Sequence, residues 1–386
     1  MIKLFPRLKD RSDVMRELLI ILAIVTSLAY LSQRQSMKIT NGDGRKHWDI
    51  YLIILLVFLI LFAGLRTSYN DTGNYIVGFN ASVGIREFLS NSENLQPLEN
   101  PLFYGFQALI RSFTDNVNVF FMICAVIVNF LNVRFIKRNT EINDFAFSMF
   151  LYVALGTLML SIAAQKQILA MSVLTLALNQ LIDRKYISYY IIVLIAGLIH
   201  SYAWLFLFFP LLITKPWSFR TFVLLGITVG IMSVFQTAIE TFVEVADQAG
   251  KNIPMEEVFD GNRMNIFRVA VYAVVPITAL LFKRRINDQI DHRHSIFIQM
   301  SIMCMIFMML GTMNGANMFG RSANYFEIGM ICVMPWMIRY LFTRQSVMMV
   351  TLIASMCFIG FYLYDNDGFN INYHYISPMQ FISDVI

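Results

Sequence analysis

The sequence predicts an all-α integral membrane protein, a polytopic helical bundle of about 11–12 transmembrane segments with one re-entrant or interfacial helix. Three observations lead there. The 386 residues are 57% hydrophobic and only 14% charged, against roughly a quarter charged in a soluble domain. Apolar runs near the ~20 residues that cross a ~30 Å hydrocarbon layer recur from Val14 to Tyr364. The polar punctuation between them is short, so residues 1–386 read as a single polytopic membrane domain with no separate soluble part.

Taken in order, the spans read by length are 14–33, 48–65, 116–136, 144–163, 165–182, 219–239, 264–282, 295–312, 322–341 and 346–364. The first lacks a small-residue cleavage site after it and reads as a retained helix. Lys and Arg in short loops stay on the cytoplasmic side. Placing Arg134/Lys137/Arg138, Arg184/Lys185, Lys283/Arg284/Arg285 and Arg339/Arg344 inside leaves 66–115, 240–263, 313–321 and the tail 365–386 outside. Lys3, Arg7, Lys9 and Arg11 favour an internal N-terminus, while Arg34, Lys38, Arg45 and Lys46 favour an internal 34–47 loop. One spanning helix does not satisfy both. The loop is taken as internal; a 14–33 segment that does not span would reconcile the two.

The run 187–213 has basic residues at both ends, so it is expected to be a hairpin of two short or tilted helices turning near His200 and Ser201. One long tilted helix is the alternative. Segment 102–113 is too short to cross and is expected to be re-entrant or interfacial.

Several functions are excluded. The net charge of +5 is spread over inter-helix clusters, not one stripe, so no nucleic-acid partner is expected. Cys124, Cys304, Cys332 and Cys357 sit in apolar runs without Cys-x-x-Cys spacing and read as packing residues. His292 and His294 lack a third ligand, and Asp365-Asn-Asp367-Gly only opens a calcium-loop pattern, so no metal site is assigned. No phosphate-cradling glycine loop or nucleophile elbow is present, and no cofactor is expected.

The candidate chemistry lies in the external segments. The first reads Arg66-Thr-Ser-Tyr-Asn-Asp71-Thr-Gly-Asn-Tyr75; then come Glu99-Asn-Pro, Gln165-Lys166-Gln167, His200, Arg263 and Arg268, and Arg321 with Tyr325 one turn later. External Arg66, Lys166, Arg263, Arg268 and Arg321 run against the positive-inside bias. An anionic ligand such as a lipid diphosphate would account for them, because guanidinium groups match phosphate oxygens bidentately. Snorkelling, or internal pairing with Asp71, Glu99, Glu240, Glu244 or Glu327, is the plain alternative.

On these residues the chain resembles the EpsG family of Wzy-type polysaccharide polymerases over roughly residues 48–345. The likeness rests on Arg66 followed by Asp71-Thr72 and Tyr75, on Glu99, on Lys166-Gln167-Ile-Leu-Ala170, on His200-Ser201, and on Arg321-Ser-Ala-Asn-Tyr325-Phe326. Two positions depart from the family pattern: Lys166 replaces an Arg and loses its bidentate fork, and Asn70 replaces a Gly. The resemblance implies glycosyl transfer from polyprenyl-diphosphate-linked oligosaccharide, undecaprenyl diphosphate being the expected carrier, at the outer face of a plasma (inner) membrane. It implies no metal or nucleotide. Arg66, Lys166, Arg263, Arg268 and Arg321 would then hold diphosphate, and Tyr75, Tyr325, Tyr373 and Tyr375 glycan. His200, Asp71 or Glu99 would serve as base. Membrane lipid, a flippase and a chain-length regulator are the implied partners. A lipid-glycan ligase or other transferase, a transporter and a non-catalytic scaffold remain the rival classes.

Overall fold

The computed structural model describes residues 8–41, 48–96, 99–248, 261–367, 369 and 373–385. Lys3, Arg7, Arg45, Lys46 and the centre of the 240–263 loop lie outside the described residues. The described residues are 83% helical. Among the described residues, Val14–Lys38, Val117–Asn139, His292–Leu310 and Arg344–Asp365 are each long and apolar enough to cross a membrane. Three bent helix pairs raise that number to as many as 7. The 11–12 segments expected from the sequence also counted shorter apolar helices, such as Ile50–Gly64 and Tyr186–Ile199. The chain is an all-α, multi-pass membrane protein.

The described chain divides into two compact units by its contacts. The first comprises Met1–Ser92, Phe103–Thr175 and Pro335–Ile386, and the second Glu93–Leu102 and Leu176–Met334.

In the first unit, the Ile50–Gly64 helix packs along Val117–Asn139. Gly64 permits the contact: a Cβ there would lie 2.7 Å from Met122 Sδ and 3.1 Å from Met122 Cα. The start of this helix is stapled by charge. Asp49 accepts from the Leu52 N–H at 3.0 Å, and its other oxygen takes Lys137 Nζ at 2.5 Å and Ser32 Oγ at 2.7 Å. Nearby in sequence, the buried Asp144 is paired with Arg339, which also reaches Glu141. Cations expected on the cytoplasmic side therefore neutralise acids at one end of the helices, consistent with charge retained near a headgroup layer.

At the other end of Ile50–Gly64, Arg66–Ser68 forms strand β1, antiparallel to β2 at His374–Tyr375, with Arg66 opposite Tyr375. Strands this short leave no alternating pattern in sequence, so the all-helical expectation missed them. The span read at 144–163 is broken: Phe145–Ala154 ends at Gly156, whose φ of 96° is open to glycine, and Thr157–Ala163 leaves at 46°. Gln165–Ile182 begins directly after Ala164. Pro101–Arg111, the expected interfacial segment, is an amphipathic helix only about 16 Å long at 1.5 Å per residue.

In the second unit, Tyr186–Ile199 ends at His200, whose extended backbone (φ −153°, ψ 123°) reverses the chain. The return runs as 3₁₀ turns over Ser201–Leu207 and Phe209–Leu212 instead of the expected second α-helix. The hairpin closes tightly: Tyr189 Oη donates to the Phe206 carbonyl at 2.5 Å, and Trp204 lies across Gly197. Segments 261–264 and 311–316 meet through Gly261 N–H to Asn314 Oδ1 (3.1 Å), Met264 N–H to Gly311 O (2.7 Å) and Ala316 N–H to Asn262 O (3.1 Å). Asp291 is the N-cap of His292–Leu310 and is met by the His294 N–H and Nδ1, each at 2.7 Å; burial pushes the Asp291 carboxyl up, but the hydrogen bonds from His294 outweigh it and hold it down at about 2.

The hairpin makes a direct prediction. A Cβ on Gly197 would stand 2.6 Å from the Trp204 ring, so Gly197→Ala should destabilise the protein by about 1–3 kcal/mol through overpacking. A thermal scan in detergent should show a lower midpoint, with a shifted Trp emission. An unchanged midpoint would mean that the ring moves aside freely.

Candidate functional site

The first cluster is built on Arg66, which is only 1% exposed. Its Nη1 donates to Ala63 O at 2.6 Å, its Nε to Thr72 Oγ1 at 3.3 Å and its Nη2 to Gln165 Oε1, while the Phe121 ring centroid lies 4.3 Å from the guanidinium carbon. Each partner follows from local structure. Ala63 belongs to the last turn of Ile50–Gly64, whose carbonyls lack helical partners and carry the negative end of the helix dipole. Thr72 opens the Thr72–Ala81 helix, and its hydroxyl also donates to Tyr69 O at 2.7 Å. Gln165 opens Gln165–Ile182. Burial pulls the Arg66 guanidinium down to about 10, against opposing effects from Cys124, Tyr75 and Tyr373. It therefore stays charged at neutral pH.

This corrects two expectations. Arg66 does not snorkel, and its hydrogen bonds go to Ala63, Thr72 and Gln165 instead of the neighbouring Asp71. Because its fork is filled by protein oxygens, Arg66 offers no direct bidentate contact to a diphosphate. Asp71 is half-buried and stands at the N-cap of Thr72–Ala81 without a side-chain cap bond.

Lys166 is the more accessible cation. Its Nζ bonds Tyr104 Oη at 3.0 Å and lies 5.0 Å and 5.8 Å from the Tyr104 and Phe103 ring centroids; its backbone N–H donates to Tyr75 Oη at 3.3 Å. Tyr75 thus positions the start of the helix and sits edge-on to Phe103. A helix N-terminus, a half-exposed ammonium and a buried guanidinium together make an electropositive spot suited to an anion. Tyr373 is engaged differently from expectation. Its hydroxyl donates to Phe62 O at 2.8 Å and its ring stacks on Phe62 and Phe369, so it supports the loop and presents little face to a sugar. Tyr375 remains 68% exposed.

The second cluster surrounds His200, 8% exposed. Its Nδ1 shares a 2.8 Å hydrogen bond with Tyr325 Oη, and its ring stacks with Tyr202 at 5.2 Å between centroids. The turn is held by Asn100, a left-handed residue (φ 59°) whose Oδ1 accepts from the Ser201 N–H at 3.0 Å. Tyr325 is 3% exposed and packs on Phe206. Its hydroxyl is bound to the imidazole. Arg321, one turn before it, is half-buried and acts electrostatically on Tyr202. Arg263 and Glu99 are exposed and Arg268 half-buried.

Gln165, Tyr202, Tyr104 and Asn100 were not singled out in the sequence. Gln165 and Asn100 lie inside quoted motifs, but only the folded chain shows that they, not their charged neighbours, meet Arg66 and the His200 turn.

These features define a polytopic helical membrane protein carrying a buried arginine and a hairpin-borne histidine among aromatic rings. The EpsG family model matches residues 49–381, and the chain belongs to the EpsG family, whose members are Wzy-like polysaccharide polymerases. Comparisons with curated proteins and with solved structures found no match.

A test follows for Arg66. Arg66→Lys keeps the charge but loses the three-way fork, leaving buried oxygens unsatisfied at about 1–3 kcal/mol each. The yield of monodisperse protein in fluorescence-detected size exclusion should fall, and Gln165→Ala should lower it in the same direction. Normal yield with lost activity would instead mark Arg66 as a substrate contact.

Proposed function

We propose that this protein joins polyprenyl-diphosphate-linked oligosaccharide repeat units at the outer face of the plasma membrane, as a metal-independent glycosyltransferase of exopolysaccharide, capsule or O-antigen synthesis. The observation that carries this is the electropositive start of Gln165–Ile182, where Lys166 follows the Gln165 that binds the buried Arg66. Family membership supports the reaction class.

The acceptor hydroxyl attacks the anomeric carbon of the growing chain. A new C–O bond forms as the bond from that carbon to the diphosphate oxygen breaks, and the electron pair leaves on the lipid diphosphate. Lys166 contacts that leaving group directly, and Arg66 adds charge from beneath without touching it. Arg263, Arg268 and Arg321 are further cations for anionic substrate. His200 accepts the hydroxyl proton. With Nδ1–H donated to the Tyr325 oxygen, Nε2 is the accepting atom in this reading. Asp71 and Glu99 are the other bases the reaction class allows. Tyr375 is the exposed aromatic suited to stack on a sugar ring. A flippase would deliver the lipid-linked units, and a chain-length regulator would act on the product.

Purified protein supplied with lipid-linked repeat units tests each assignment. His200→Ala should retain donor binding and lose about 10²–10⁴-fold in single-turnover extension. Extension within a few-fold of wild type would remove His200 as base, and lost donor binding would move it to the binding shell. Lys166→Ala should weaken donor binding while the protein inserts normally; unchanged affinity would take the diphosphate away from this helix start. Tyr325→Phe keeps the ring and removes the hydroxyl, so it should shift the pH profile of extension while donor binding persists.

A further inference from the structure

The Pro378–Val385 helix segregates its side chains completely. At the helical period Pro378, Met379, Phe381, Ile382 and Val385 share one arc, and Gln380, Ser383 and Asp384 the opposite one. Met379 is 84%, Ile382 54% and Val385 49% exposed, and no residue of the helix is buried. Phe381 is half-buried, and the rest of the apolar arc stands exposed among the described residues.

The helix is tied down on both sides. Before it, the Ile376 N–H donates to Leu65 O at 3.0 Å, continuing the β1–β2 pairing; near its end, Asn116 Nδ2 donates to Asp384 O at 3.2 Å. Leu65 caps the C-terminus of the apolar Ile50–Gly64 helix, and Asn116 caps the N-terminus of the candidate span Val117–Asn139. These two helices pack together and expose apolar side chains of their own, Val57 and Leu61 on one, Val126 and Phe130 on the other. An amphipathic helix fixed to the ends of adjacent membrane helices stands where hydrocarbon gives way to headgroups.

We propose that Pro378–Val385 lies flat in the membrane interface, with Met379, Ile382 and Val385 in lipid, as an anchor that keeps strand β2 paired with the Arg66 strand. The partner is a lipid surface, because the helix is fixed to the ends of two membrane helices that themselves expose apolar side chains. The helix contains no Lys or Arg, so attachment is apolar and independent of anionic lipid.

Full-length protein carrying Cys357→Ser, which removes the exposed thiol and leaves Cys124, Cys304 and Cys332 buried, is given a single cysteine at Ile382, Ser383 or Met349. Each is labelled with bimane in phosphatidylcholine vesicles, with or without phosphatidylglycerol. Met349, exposed on Arg344–Asp365, is the lipid-facing reference. A spin label near the lipid headgroup should quench the probe of Ile382→Cys at least about twofold more than that of Ser383→Cys, equally in neutral and anionic vesicles. Aqueous iodide should show the reverse order. Equal iodide quenching at both positions, with no lipid quenching at Ile382, would overturn the anchor. Quenching that requires phosphatidylglycerol would overturn its apolar basis. Protection from both quenchers in native membranes would identify a protein cover instead.

Discussion

A positive charge placed out of water without a carboxylate in its hydrogen bonds organises much of the first unit. The cost of burying the Arg66 guanidinium is several kcal/mol and is offset only if every donor finds an oxygen in good geometry. Those oxygens come from the end of one helix, the start of a second and the start of a third, through Ala63, Thr72 and Gln165. Satisfying one side chain therefore fixes three element ends and the β1 strand, which in turn sets the register of the tail through Tyr375. The ring of Phe121 completes the surround from below.

That constraint separates two neighbouring cations by surroundings. An arginine whose fork is spent on protein oxygens acts as a fixed background charge, whereas the half-buried ammonium of Lys166, the residue after Gln165, bonds a tyrosine hydroxyl. It is framed by the rings of Tyr104 and Phe103.

The His200 hairpin follows a comparable logic with neutral groups. An extended residue between a helix and a 3₁₀ segment exposes backbone groups that need partners; Asn100 supplies one, and Tyr325 supplies the imidazole. A phenol orients the ring through a hydrogen bond that brings no formal charge of its own.

Much of this was legible in the sequence because it depends on local period and composition. Apolar run length gave the membrane class, paired basic flanks gave the 187–213 reversal, and Arg66, Lys166, His200 and Tyr325 stood out by residue type. What the sequence did not determine was which of these meet each other. Gln165 and Asn100 carry no charge and resemble ordinary polar loop residues, and Tyr325 reads as a sugar platform until burial and a bond to His200 give it another task. The two-residue strand and the closing amphipathic helix are too short for their pattern to stand out before the tail is seen tied to Leu65 and Asn116. Hydrophobic periodicity is encoded along the chain, whereas the satisfaction of buried polar groups depends on residues brought together from distant positions; Arg66 and Gln165, 99 residues apart, are decided only by the tertiary fold.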